Sequence, residues 1–179
     1  MSVSKIDGIG TRKDGSGGES VNTSVHPKKI IRMMGFSTDG AAAVTYTKGD
    51  AVALQIASAT VNGTDILTTY GIGNVVKLAT DLTELLCLGV VTETAEAKYN
   101  STSAKGSEVI VSVQISGVFE KANVTTSTSV GLQLFPSGTD GRLILSASSD
   151  PDTNKPLAIA LANAASNSCK IILLNPLSY

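Results

Sequence analysis

Tryptophan is absent from this sequence, and aromatic residues make up only 4% of it. Stacking of bases or sugar rings needs aromatic platforms, so the shortage argues against that kind of binding. Charge is scarce as well. Charged residues amount to 16% of the chain, against roughly 25% in ordinary soluble domains. The formal net charge is -1, which leaves neither a nucleic-acid footprint nor an acidic tail. Ser and Thr fill the gap, with Ala and Gly. A surface of that composition is one that faces other protein.

Histidine occurs once, as His26. A Ser-His-Asp triad or a histidine metal site would have to be built on it. It sits just before Pro27 in a stretch with little to hold a catalytic base rigid, so neither is expected. The two cysteines, Cys87 and Cys169, fit no metal or redox spacing. They read as buried small hydrophobes, with a disulfide as the lesser alternative. No apolar run approaches the roughly 20 residues of a membrane span, and no charged-then-apolar leader opens the chain. The expectation is a soluble protein made in a cytoplasm, without cofactor or metal.

Two further motifs fall away on inspection. Gly8-x-Gly10 and Gly71-x-Gly73 resemble phosphate loops, but neither continues into a full fingerprint followed by a helix, so both read as turns. The carboxylates, Asp50 and Asp65 among them, lie mostly beside turns and read as solvated. Asp150 and Asp152 lack EF-hand spacing. A hydrolase built on an acidic pair is the weakest functional reading, and an enzyme is not expected.

What is present is mostly strand. Residues 1–28 form an exception: Gly8, Gly10, Gly15, Gly17 and Gly18 are mixed with Ser, Asp and Lys. Such a stretch buries too little apolar area to offset its ordering entropy, and is expected to be a flexible arm. With the adjoining Lys29, it carries Lys5, Arg12, Lys13 and Lys28 against Asp7, Asp14 and Glu19. A basic arm ahead of a more acidic body suggests docking onto a neighbour.

From residue 29 to 179 short strands follow one another. Ile30 to Met34 opens the fold. Val44 to Tyr46 and Ala51 to Ile56 flank a Lys48-Gly49-Asp50 turn. Asn62-Gly63 supplies the positive φ angles of a hairpin turn between Val61 and Ile66-Leu67. Gly73 to Leu78 is another strand. Asp81 to Cys87 is the best helix candidate, with Asp81 as N-cap, or equally a loop leading into a strand over Leu86 to Thr92, and Glu93 to Lys98 reads as a connection or one helical turn. Val109, Val111, Val113 and Ile115 alternate with less apolar neighbours, the cleanest period of two in the chain. Gly117 breaks that pattern as a bulge or bend. Leu132 to Leu145 makes a hairpin with a long loop around Pro136 to Gly141.

A phrase then repeats. Leu88 to Val91, a polar excursion and the run Val109 to Phe119 are echoed by Pro156 to Leu161, a polar excursion and Lys170 to Leu174. In the echo, Leu157, Ile159 and Leu161 are expected to face inward and Ala158, Ala160 and Ala162 outward. The predicted core is Val109, Val111, Val113, Ile115, Leu157, Ile159, Leu161, Ile171 and Leu173. The fold class is all-β: a compact barrel or sandwich with at most one or two short helices and an extended N-terminal arm.

Lys48-Gly49-Asp50, Leu88 to Val91, Val109 to Gly117, Val130 to Leu134, Gly138 to Leu145 and Pro156 to Leu174 follow a running order that resembles phage capsid decoration (cement) proteins of the lambda-like head-decoration type. The resemblance covers residues 48 to 174 and rests on small and apolar positions. It implies a β-rich domain, often trimeric, that sits on the outside of a phage head and seals contacts between capsomers of the major capsid protein. The N-terminal arm would lie across that protein, with Arg12, Lys13, Lys28 and Lys29 as the partner-binding residues. A homotrimer is expected, with a dimer as the alternative. A head fibre or host-surface adhesion module is the competing function. Neither nucleic acid nor membrane is expected as a partner.

Overall fold

The computed structural model describes residues 11–13, 19–21, 27–37, 43–79, 86–125, 128–136, 141–144 and 156–174, the first two segments by backbone alone. His26, the Asp81 helix cap, Asp150 and Asp152 lie outside the described residues. In chain order the strands are β1 (Thr11–Lys13), β2 (Glu19–Val21), β3 (Lys29–Phe36), β4 (Val44–Tyr46), β5 (Ala51–Leu54), β6 (Thr60–Val61) and β7 (Thr64–Asp65). Helix α1 (Ile66–Tyr70) follows. Then come β8 (Val75–Leu78), β9 (Cys87–Val91), β10 (Ala95–Ala97), β11 (Glu108–Asn123), β12 (Gln133–Pro136), β13 (Leu143–Ile144), β14 (Ala158–Ala160) and β15 (Ser168–Leu173). The protein is all-β with a single short helix among the described residues, as its patterning predicts.

The long strand β11 organises everything. Its first part pairs antiparallel with β3, from Glu108↔Phe36 to Ser116↔Lys29. β3 runs parallel to β8, β8 antiparallel to β5, and β5 antiparallel to β9. β9 returns to β11 at Val113↔Val91 and Gln114↔Val90, which closes a ring of five strands. Past Gly117, β11 pairs instead with β15, then β15 with β14, β14 with β12 and β12 with β13. A bridge between Val124 and Leu143 and the Thr125 N–H donated to the Leu143 carbonyl at 2.8 Å close a second ring. Gly117 has φ +84°, a conformation that favours glycine. The expected bend is there, but the strand continues through it and changes partners.

One apolar cluster serves each ring. Met33, Val52, Val76, Leu88, Val91, Val111, Val113 and Ile115 draw on all the strands of the first ring. Phe119, Ala122, Val124, Leu134, Leu143, Ala158, Ala160, Cys169, Ile171 and Leu173 do so for the second. Ala51, Ala53, Cys87 and Val90 join this second cluster from β5 and β9 of the first ring. Those two strands are thus covered on both faces, which explains their near-continuous apolar runs Ala51–Leu54 and Cys87–Val91. Both cysteines are buried thiols, and burial raises the pKa of Cys169.

Several sequence expectations need correction. In β14 the phase is reversed: Ala158 and Ala160 are fully buried, Ile159 is half-buried and Leu161 is exposed. Val109 is half-buried at the end of β11. Ala95–Ala97 is neither loop nor helical turn but a strand, because β4 offers it a partner through Ala95↔Tyr46 and Ala97↔Val44. The Asn62-Gly63 hairpin forms between β6 and β7, with both residues at positive φ. Ile66 and Leu67, however, do not extend it. They start α1, because the Asp65 carboxylate accepts from the Leu67 N–H at 2.9 Å and caps the helix. That bond, ahead of a second from the Thr68 hydroxyl, lowers the Asp65 pKa.

Tyr46 lies within the first-ring cluster, only 1% exposed. Its hydroxyl accepts from the Phe36 N–H at 3.1 Å and lies 3.3 Å from the Phe36 carbonyl and 3.2 Å from that of Val76, to which it donates. Gly35 leaves room for the ring, since a Cβ there would meet it at 2.6 Å. Burial pushes the phenol up to about 12 from its ordinary 10, with the Phe36 hydrogen bond pulling the other way. The fold therefore keeps the phenol protonated where the unfolded chain would ionise it. That contribution to stability is complete below pH 10 and is lost as pH rises through about 12. Tyr46→Phe is expected to cost about 1–3 kcal/mol near neutrality, by stranding the Phe36 N–H. Its urea-unfolding free energy should also fall less steeply than the parent's across that alkaline interval.

Candidate functional site

The turn Lys48-Gly49-Asp50 between β4 and β5 sits where the two rings join. The Gly49 N–H donates to the Val91 carbonyl, the Val91 N–H to the Asp50 carbonyl, and the Asn123 N–H to the Gly49 carbonyl, each at 2.9 Å. Gly49 has φ +95°, and a Cβ there would lie 2.5 Å from the Lys121 carbonyl oxygen, so glycine is required twice over. The turn is thereby bonded to the end of β9 in the first ring and to the end of β11 in the second.

Asp50 is not the solvated turn carboxylate that its position suggests. It is 7% exposed, and its carboxylate accepts from the Thr47 N–H at 2.9 Å and from Asn123 Nδ2 at 2.6 Å. The side chain locks the turn and ties it to β11. A polar cleft of about 530 Å³, lined by Asp50, Asn123, Thr45, Thr47, Arg142 and Asn167, opens beside it.

On the other side of the turn lies a basic concavity of about 340 Å³. Lys28, Lys48 and Lys121 contribute its cations, and Thr92, Gln114, Val118, Phe119 and Glu120 the rest of its lining. All three lysines are exposed and have no ion pair among the described residues. Glu120 is drawn instead to Lys170, at 3.0 Å. Behind the lysines Gln114 is fully buried. Its Nε2 donates to the carbonyls of Ser116 at 3.0 Å and Val118 at 2.9 Å. These two bonds fix the amide orientation and leave Oε1 without a hydrogen-bond partner.

Of the residues that the sequence marks for partner binding, Lys28 and Lys29 are exposed at the start of the described domain. Lys28 lines the concavity, while Lys29 opens β3 opposite Ser116. The Ser116 hydroxyl donates to the Pro27 carbonyl at 2.7 Å, which pins the entry of the chain beside the bend of β11. Arg12 and Lys13 occupy β1, at register positions opposite Ser20 and Glu19 of β2. The basic arm therefore contains a two-stranded antiparallel sheet. Sequence reading marks Lys48 only as part of the Lys48-Gly49-Asp50 turn, not as a binding residue, and passes over Lys121, which has no motif around it. The Asn123–Gly49 bond joins Lys48 to Lys121, and the Ser116–Pro27 bond with the β3–β11 pairing brings Lys28 to them.

Among the described residues, no cluster of His, Cys, Asp and Glu is placed to hold a metal ion, and no helix is long and apolar enough to cross a membrane. No family model matches the chain, and neither a curated protein nor a solved structure matches it.

Proposed function

We propose that this chain is a structural cement protein, which binds the outside of a phage capsid and stabilises contacts between capsomers of the major capsid protein. The observation that carries this reading is the position of the basic concavity. The N-terminal segment enters the β-domain at Pro27-Lys28, and Lys28 shares the concavity with Lys48 and Lys121. A segment with Arg12 and Lys13 in a two-stranded sheet thus precedes, in the chain, a rim of lysines that have no ion pair among the described residues. A docking protein profits from that continuity, because one partner surface can engage arm and body together. Exposed cations of this kind steer encounter with an acidic surface and fix orientation on it. The rings behind them supply a stiff support.

The protein acts as a homo-oligomer, most simply a trimer, in which linked arms raise the effective concentration of each further contact. The resemblance to lambda-like decoration proteins supports the same assignment, with the virion surface as its site of action.

The test adds full-length protein to undecorated phage heads and counts bound copies by quantitative mass spectrometry. Near-stoichiometric binding to the major capsid subunit is expected. Lys28→Glu/Lys29→Glu and Arg12→Glu/Lys13→Glu should each lower occupancy by about tenfold at moderate salt, as loss of steering and rim contacts predicts. Undiminished occupancy in both pairs would remove the basic docking surface. A few copies per particle would favour the fibre or adhesion reading.

A further inference from the structure

We infer that the concavity rimmed by Lys28, Lys48 and Lys121 receives an acidic, extended segment of a partner polypeptide. This rests on reading the chain as a docking protein, and it names the chemistry of what docks.

Size sets the first limit. At about 340 Å³ the concavity lies at the small end of ligand sites, which run from about 300 to 1,000 Å³. It can take a few side chains of a strand or loop, and no folded domain. Charge sets the second. Three lysines without ion pairs among the described residues line it, and Glu120, the only carboxylate among the described lining residues, is engaged by Lys170. The ligand must therefore bring negative charge.

Apolar surface separates a peptide from other anions. Val118, 40% exposed, lies in the lining beside the lysines. An extended segment that alternates carboxylates with apolar side chains matches both the cations and this apolar patch. Phe119 is too deeply covered to act as a stacking platform for a base.

The experiment uses the full chain and fluorescence anisotropy. The probe is a labelled peptide, Thr-Glu-Val-Glu-Val-Glu-Thr. Its lysine analogue, Thr-Lys-Val-Lys-Val-Lys-Thr, and a labelled oligothymidylate serve as comparisons. The acidic peptide should bind in preference to both, and added salt should weaken it. Lys48→Glu/Lys121→Glu should raise its Kd by about tenfold. Lys105→Glu, an exposed lysine outside the lining, should leave Kd unchanged. Circular dichroism of each variant checks that the fold persists, as exposed substitutions permit.

Equal affinity for the two peptides overturns the inference, as does tighter binding of the oligothymidylate or indifference to Lys48→Glu/Lys121→Glu. Failure to bind the acidic peptide at all also overturns it. Failure on phage heads has a different signature. If heads are not decorated while the peptide still binds through Lys48 and Lys121, the capsid assignment falls and the acidic-segment site stands.

Discussion

Gly89→Ala is expected to destabilise the protein by about 3 kcal/mol or more, at or above the upper end of ordinary overpacking inside a packed structure. Gly89 lies in β9, on the seam where β9 meets β11 and closes the first ring. A Cβ added there would lie 2.0 Å from the Gln114 carbonyl oxygen, 2.9 Å from its carbonyl carbon and 3.1 Å from Ile115 Cα. All three atoms belong to backbone, so no rotamer change can make room. The strands would have to part at the only place where β9 and β11 pair. By contrast, a Cβ at Gly35 would meet side chains, the Tyr46 ring at 2.6 Å and Val111 Cγ2 at 2.8 Å, and one at Gly131 would meet nothing within 4 Å.

For a chain of this length, a loss of about 3 kcal/mol lowers the melting temperature by roughly 6–12 °C, and a larger loss by more. Gly131→Ala, which suffers only from its positive φ, should cost about 1–3 kcal/mol. Thermal melts of the two variants beside the parent check the expectation. If Gly89→Ala melts within a degree or two of the parent, β9 and β11 are not in contact as described. Because Gln114 also lines the basic concavity, the same substitution should weaken acidic-peptide binding even where the protein remains folded.

The parts of the fold that the sequence discloses are those whose evidence is local. β11 shows its period of two over Val109 to Ile115, and Asn62-Gly63 fixes a hairpin through its own backbone preference. The elements it conceals depend on partners distant in the chain. Ala95, Glu96 and Ala97 have poor strand propensity, and form β10 because Tyr46 and its neighbours in β4 supply hydrogen bonds. Helix α1 spans only five residues, too few for a helical period to show. Gly117 can be recognised as a bend, but that it hands β11 from one ring to the next follows from the pairing of Gly117 with Leu173. The site divides in the same way. Lys28 is visible because it lies in a local cluster with Lys29, whereas Lys48 and Lys121 come to it only through the closed rings.

Ile171→Ala is expected to cost about 2–5 kcal/mol, as a fully buried isoleucine does when truncated, while Ile159→Ala should cost about 1 kcal/mol or less. The contrast follows from the register of β14 with β15. Ala158 stands opposite Leu173 and Ala160 opposite Ile171, and all four are buried in one cluster. Ile159 pairs with Ile172, and both are half-buried on the other face. Sequence alone favours the larger residues as the buried set, because each would bury more apolar area. A ring of five strands reverses the choice. Its interior is too narrow for large side chains from every strand, so alanines on β14 make room for Ile171 and Leu173 of β15 and Leu134 of β12. Ala160→Leu should accordingly cost about 1–3 kcal/mol by overpacking, although it adds apolar surface. Urea unfolding of the three variants measures all of this on one scale. If Ile159→Ala loses as much as Ile171→Ala and Ala160→Leu is neutral, β14 presents its other face to the core and the second ring is packed differently.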